Sequence, residues 1–215
     1  MRFRDRAEAG SLLGELVAAR DLAEPIVLAL PRGGVPVGAE VASRIGAPLD
    51  VYVARKIGAP HQPEYGVGAI AEGGTVVSDP LALEVLGLDH TAFEALVERE
   101  QSELRRRVAL YRSGRTLPPL SDHDVVLVDD GLATGVTAEA AVLDLRQASA
   151  RSIVLAVPVG ARDTVERLSA VADAVLCVES RRDLVAVGRW YRHFDQTSDD
   201  EVLEILSRAR SRPPT

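Results

Sequence analysis

Lysine is almost absent from this chain: of its 25 basic side chains, twenty-four are arginine and one, Lys56, is lysine. Such a bias usually reflects genome composition, but where arginine is used wherever it is tolerated, a surviving lysine marks a place for a compact, flexible ammonium instead of a planar fork. Cysteine is equally scarce. Cys177 stands alone, which excludes a disulfide framework and a thiolate metal cluster and makes a reducing cytoplasm the expected compartment. The thiol itself reads as a small buried hydrophobe within Ala174 to Val178. Basic charge is in deficit, with 32 acidic side chains against 25 basic and a net charge of −7. That balance argues against a general nucleic-acid binder, because a phosphate backbone repels such a surface. No apolar run approaches the roughly 20 residues needed to cross a bilayer, and Met1 to Gly10 is charged, so the reading is a soluble cytoplasmic protein. No glycine is followed by Lys-Ser or Lys-Thr, and Pro31 to Gly38 lacks the G-x-G-x-x-G spacing, which removes a Walker loop and a dinucleotide fingerprint. His61, His90, His123 and His193 have no partners at metal-ligand spacing and read as surface or loop residues.

What is present is an alternation of strand-like apolar runs with amphipathic helices. With 215 residues, 47% of them hydrophobic, it predicts one α/β domain built on a mainly parallel sheet flanked by helices. Asp5 and Glu8 form a capping box for a helix to about Arg20. Ile26 to Leu30 reads as a buried strand opening into Pro31-Arg32-Gly33-Gly34, followed by a helix around Val37 to Ile45. Leu49 to Val53 is the next strand, Arg55 to Tyr65 a long polar loop, and Val67 to Ala71 with Thr75 to Ser78 a β-hairpin. Residues 79–115 carry two helices without an intervening strand and read as a helical insertion. Asp79-Pro80 starts the first, and Thr91 with Glu94 caps the second. In that second helix Arg105-Arg106-Arg107 reads as a solvated face paired with Glu100 and Glu103. Further strands are expected at Val125 to Val128, Ile153 to Val157 and Ala174 to Val178, with helices to about Gln147 and near Arg162 to Ala170. Ser198 and Glu201 cap a last helix, and Ser211 to Thr215 reads as a frayed end.

The informative segment is Val125 to Thr137: a buried strand, two acids, a loop of small and hydroxyl residues, then a helix N-terminus. Loop N–H groups and the positive end of the helix attract a phosphate, and the hydroxyls of Thr134 and Thr137 can add donors. Asp129 and Asp130 can accept from vicinal sugar hydroxyls. Two adjacent acids that merely capped a turn would repel each other for no gain.

This run resembles the signature by which type I phosphoribosyltransferases bind 5-phosphoribosyl 1-pyrophosphate (PRPP), with Val136 a mild departure from its usual small or polar residue. The resemblance implies a type I phosphoribosyltransferase-like α/β fold with a C-terminal hood at residues 180–215. It implies that Asp129 and Asp130 hold the ribose hydroxyls, with magnesium on the same pair, while Leu132, Ala133, Thr134, Gly135, Val136 and Thr137 wrap the 5-phosphate and Gly131 belongs to the same PRPP-binding loop. Arg32, Gly33 and Gly34 resemble the family's pyrophosphate loop. Arg55-Lys56 resembles the Arg-Lys pair that addresses pyrophosphate from a flexible loop in orotate and adenine enzymes. The implied catalytic set is therefore Asp129, Asp130, Lys56 and Arg32. Ala133 stands where enzymes acting on hypoxanthine or guanine commonly carry an acid, which favours an adenine- or orotate-like loop. In the hood, Trp190 or Tyr191 can stack on the acceptor or anchor the C-terminal tail to the core. The expected reaction transfers the phosphoribosyl group to a nucleobase or other nitrogen acceptor and releases pyrophosphate, with a homodimer as the assembly; a non-catalytic or regulatory PRPP- or nucleotide-binding protein is the alternative.

Overall fold

The computed structural model describes residues 2–211; the last four residues of the expected frayed end lie outside them. Five strands form a parallel sheet in the order β2-β1-β6-β7-β8: β1 is Ile26–Ala29, β2 Leu49–Val51, β6 Asp124–Val128, β7 Ser152–Ala161 and β8 Ala174–Arg181. The apolar runs are continuous because both faces are covered. Along β1 and β6, Val27, Ala29, Val126 and Val128 enter one core, while Ile26, Leu28, Val125 and Leu127 enter the other, as a period of two requires.

Helices α1 (Arg6–Ala18), α2 (Gly34–Ile45) and α7 (Asp199–Arg210) supply Leu13, Val17, Val37, Val41, Val202 and Leu206 to the first core. Helix α5 (Val136–Gln147) lays Ala138, Ala141, Val142 and Leu145 on the second. Asp5 caps α1 by accepting from Glu8 N, as the sequence suggests, but the Glu8 carboxylate turns back to Arg4 N instead of to Asp5 N.

A second, antiparallel sheet consists of β3 (Ala54–Ala59), β4 (Gln62–Ala71) and β5 (Val76–Ser78). Residues 55–65 are therefore two strands of a hairpin, turning at Pro60-His61, and not the long polar loop expected from their Gly, Pro and His content. Glycine opposite glycine at Gly58 and Gly66, with register irregularities around Ile57 and Ala59, lets a turn-rich sequence pair as a strand. Helices α3 (Pro80–Val85) and α4 (His90–Arg112) follow. Asp89, not Thr91, caps α4 by accepting from Ala92 N at 2.8 Å. Helix α6 (Arg162–Leu168) joins β7 to β8. Among the described residues no helix is long and apolar enough to cross a membrane.

Candidate active site

Strand order locates the site. From β1 the chain leaves through α2 to β2 on one side, and from β6 through α5 to β7 on the other, while β1 and β6 are direct neighbours. The two connections diverge, and the crevice they leave beyond the carboxyl ends of β1 and β6 is the topological switch point where open α/β sheets bind ligands. Both chain segments entering it are glycine loops. The helices they open also share a property: α1, α3, α4 and α7 each start with an aspartate or serine side chain bonded to the first turn, whereas the N-caps of α2 and α5 are Gly33 and Gly135, with no side-chain cap, as is also true of the short α6 behind Ala161. Two helix N-termini without side-chain caps thus meet at one crevice, an arrangement suited to anions, though at α2 the Gly34 and Val35 amides donate to Leu30 O and Arg32 O at 3.1 Å.

The loops pack closely. Leu30 N donates to Val128 O at 2.8 Å, carrying the sheet ladder one residue past the strands. A Cβ on Gly34 would stand 2.7 Å from Val128 O, and one on Gly33 would stand 1.9 Å from Asp130 Oδ2. Only glycine allows this approach. The Pro31-Arg32 peptide is cis. Arg32 lies at the crevice with Nη1 3.8 Å from Asp199 Oδ1 at the start of α7.

The loop after β6 is fastened from the outside. Leu132 N donates to Val159 O and Ala161 N to Leu132 O, at 2.9 and 2.8 Å. Ala133 O accepts from Thr164 Oγ1 at 2.7 Å and Thr134 O from Arg167 Nη2 at 2.6 Å. Gly135, at φ 70°, turns the chain into α5. Protein donors thus hold the carbonyls at 132–134, and the loop is fixed without using the Thr134 and Thr137 hydroxyls.

Asp129 and Asp130 sit half-buried at the crevice floor. Asp129 Oδ1 accepts from Asp130 N at 2.8 Å. Burial pushes the Asp129 carboxyl well above the usual range and the neighbouring Asp130 charge pushes it further; burial also raises Asp130, with Arg6 pulling the other way. Arg6, a residue the sequence pattern does not point to, donates to Asp130 Oδ2 from Nε and Nη2 at 2.9 and 2.8 Å. Its partner is 124 positions away, so no local spacing could disclose it.

Of Trp190 and Tyr191, the second is packed into the interior. It is 1% exposed, its ring lies 5.4 Å from that of Phe3 and 4.8 Å from that of Phe194, and its hydroxyl donates to Asp130 O at 2.7 Å. Packed against these rings, it presents almost no surface on which an acceptor could stack. Trp190 is half-buried, with the Arg181 guanidinium 4.3 Å over its ring.

Arg55 and Lys56 lie on β3, lining a cleft of about 400 Å³ with Arg99, Glu100 and Arg107 of α4. Arg55 Nη2 is 2.6 Å from Glu100 Oε2. Glu100 therefore serves the hairpin, and only Glu103 pairs with Arg106 and Arg107 along the helix. Those arginines hold the Glu103 carboxyl down at about 2. The stem of Lys56 runs along Gly66, where a Cβ would stand 3.1 Å from Lys56 Cδ.

Known proteins agree with this architecture. A crystal structure of a Thermus thermophilus protein has a TM-score of 0.80 and 46% identity to this chain, covering 96% of it and 98% of the other. Two Mycobacterium tuberculosis proteins, whose names assign them provisionally to the phosphoribosyl transferases, are each 46% identical over 207 residues, 96% of this chain and 47% of theirs. The chain thus spans about half the length of the curated relatives it matches. The phosphoribosyl transferase domain profile matches residues 6–190, which takes in both glycine loops, the two acids and the hairpin. The chain belongs to the phosphoribosyl transferase domain family.

Proposed function

We propose that the chain binds PRPP in the crevice between β1 and β6 and transfers its phosphoribosyl group to a nitrogen acceptor, a nucleobase or other amine, releasing pyrophosphate. The observation that carries this reading is the convergence of two uncapped glycine-started helices on a pair of adjacent carboxylates. Anion-attracting amides and hydroxyl-accepting acids together match a ribose that bears phosphates.

In this reading the loop 132–137 takes the 5-phosphate through the Thr134 and Thr137 hydroxyls and amides other than Leu132 N, which Val159 O holds, and Asp129 and Asp130 accept from the ribose hydroxyls. The loop of Arg32, Gly33 and Gly34 takes the pyrophosphate through the Arg32 guanidinium and the Gly33 amide, with Gly34, whose own amide donates to Leu30 O, allowing the close approach. As the anomeric carbon acquires oxocarbenium character the two carboxylates offset its positive charge, while Arg32 and Lys56 stabilise the departing anion. Arg55 serves pyrophosphate only when the hairpin releases it from Glu100.

The donor set suits magnesium, which binds through one or two carboxylates plus substrate phosphates. Among the described residues no group of three or more His, Cys, Asp or Glu forms a protein cage for a metal, and Asp129 with Asp130 provides the smaller set. When bound, the ion supplies charge neutralisation for the pyrophosphate. Trp190 remains the candidate for stacking on the acceptor, and a homodimer the candidate assembly.

Calorimetry with PRPP and magnesium, followed by a pyrophosphate-release screen over candidate bases and amines, tests the proposal. Release that depends on one acceptor supports transfer. PRPP binding without release under any acceptor favours the regulatory reading, and failure to bind PRPP overturns both.

A further inference from the structure

Arg6 lies outside every motif considered above, in the first turn of α1, yet its guanidinium joins distant parts of the chain. Nε and Nη2 hold Asp130 Oδ2, Nη1 donates to Asp195 O at 2.7 Å, and its plane lies 3.9 Å from the centroid of the Phe194 ring. The Arg6 and Asp130 side chains are 12% and 16% exposed. Asp130 is confined on its other sides as well: Tyr191 Oη donates to its carbonyl, and Gly33 is packed so closely that a Cβ there would stand 1.9 Å from Asp130 Oδ2. A displacement of the carboxylate must therefore disturb Arg6, and a displacement of Arg6 must release residues 194 and 195. Only a rigid fork of several donors can hold these groups in one mutual orientation; a lysine ammonium has charge but no plane.

We infer that Arg6 is a positioning residue, which aims Asp130 at the donor and couples donor binding to the hood segment 190–195. The inference rests on the donor reading proposed for Asp129 and Asp130. The coupled segment contains its own reporter, since Trp190 is the single tryptophan of the chain and its carbonyl accepts from Phe3 N at 2.8 Å.

The test titrates PRPP with magnesium into the full chain, following heat and Trp190 emission in parallel, for wild type, Arg6→Met, Arg6→Lys and Phe194→Leu. In wild type the emission change should track the heat with one midpoint. Arg6→Met should weaken PRPP binding by about tenfold or more, the worth of a charge-assisted hydrogen bond, and abolish the emission change. Arg6→Lys should recover part of the affinity and none of the emission change. Phe194→Leu, which leaves the fork in place, should keep the affinity and reduce the emission amplitude. Circular dichroism melts establish that each variant is folded, and if Arg6→Met does not fold, the Arg6→Lys and Phe194→Leu results decide. Arg6→Lys with wild-type affinity and wild-type emission response overturns the role of Arg6 while leaving the donor reading intact. A wild type that binds no PRPP overturns the donor reading and takes this inference with it.

Discussion

Helix α5 carries a buried acid within it and follows another acid in the loop before it, and the two are treated in opposite ways. Asp144, in its last turns, is 3% exposed and fully occupied: it accepts from Tyr52 Oη at 2.7 Å, Gly73 N at 2.7 Å, and Thr75 Oγ1 and N at 2.6 and 3.3 Å. Asp129, in the loop that leads to the helix, accepts from the amide of its neighbour and faces a second carboxylate. A buried acid ringed by donors is scaffold, and here it staples the β4–β5 turn to α5. An acid held next to another acid with acceptor capacity left over is in a costly state that a ligand can relieve.

The largest expected effect separates the two. Asp144→Ala leaves a tyrosine hydroxyl, a threonine hydroxyl and backbone amides without their acceptor, and should destabilise the fold by about 3 kcal/mol in urea denaturation. Asp129→Asn should leave stability unchanged or raise it by under about 1 kcal/mol, because it removes a like-charge contact, while abolishing PRPP binding. Equal destabilisation by the two would dissolve the distinction.

Lys56, on β3 of the same three-stranded sheet, sharpens it. Lys56→Ala should lower turnover by about 2 kcal/mol of transition-state stabilisation with no change in melting temperature, and Lys56→Arg by less. Steady-state kinetics with wild-type rates for both variants would show that the lone lysine has no role. Gly33→Ala places a methyl group on the Asp130 carboxylate and should cost about 1–2 kcal/mol of PRPP affinity, as overpacking does; calorimetry reporting unchanged affinity would mean that the acid pair tolerates displacement.

The smallest effect concerns a third acid, Asp124, at the opposite end of β6 from the acid pair. Burial alone raises its carboxyl, but Arg151, Ser152 and Ala23 N outweigh it and bring the net down to about 2. A folded-state value below the unfolded one stabilises above the ordinary carboxylate range and is lost as pH falls towards 2. Asp124→Asn should therefore cost about 1 kcal/mol at neutral pH, reduced by the solvent exposure of Arg151. The gap between wild type and variant should close between about pH 4 and pH 2. A gap that persists at pH 2 would assign the loss to packing.

Local pattern made much of the molecule legible. Runs such as Val125 to Val128 are buried because both faces of a parallel strand are covered, and that is written in consecutive residues. The same holds for the Ser198 cap of α7, whose donors and acceptors lie three positions apart. The hairpin of Val67 to Ala71 with Thr75 to Ser78 was legible, but the strands within residues 55–65 were not, because their stability comes from pairing across strands and from α4 and α5 packed against the sheet, while their own residues have turn chemistry. Asp89 displaced Thr91 as the cap of α4 for a related reason: both are good caps, and the start of the helix was set by how the chain arrives from α3.

The candidate site divides along the same line. Sequence alone determined the chemistry available: two adjacent acids after a strand, glycine loops ahead of helices, and one lysine beside an arginine, all within short spans where spacing dictates proximity. Tertiary structure decided which groups act together. It set β1 beside β6, so that Gly33 and Gly34 meet Asp129 and Asp130. It turned Tyr191 inward onto Asp130, turned Arg55 towards Glu100, and brought Arg6 across 124 positions to the same carboxylate. Contacts of that separation follow from strand order and from the closing of two cores, which are properties of the packed chain and of no segment within it.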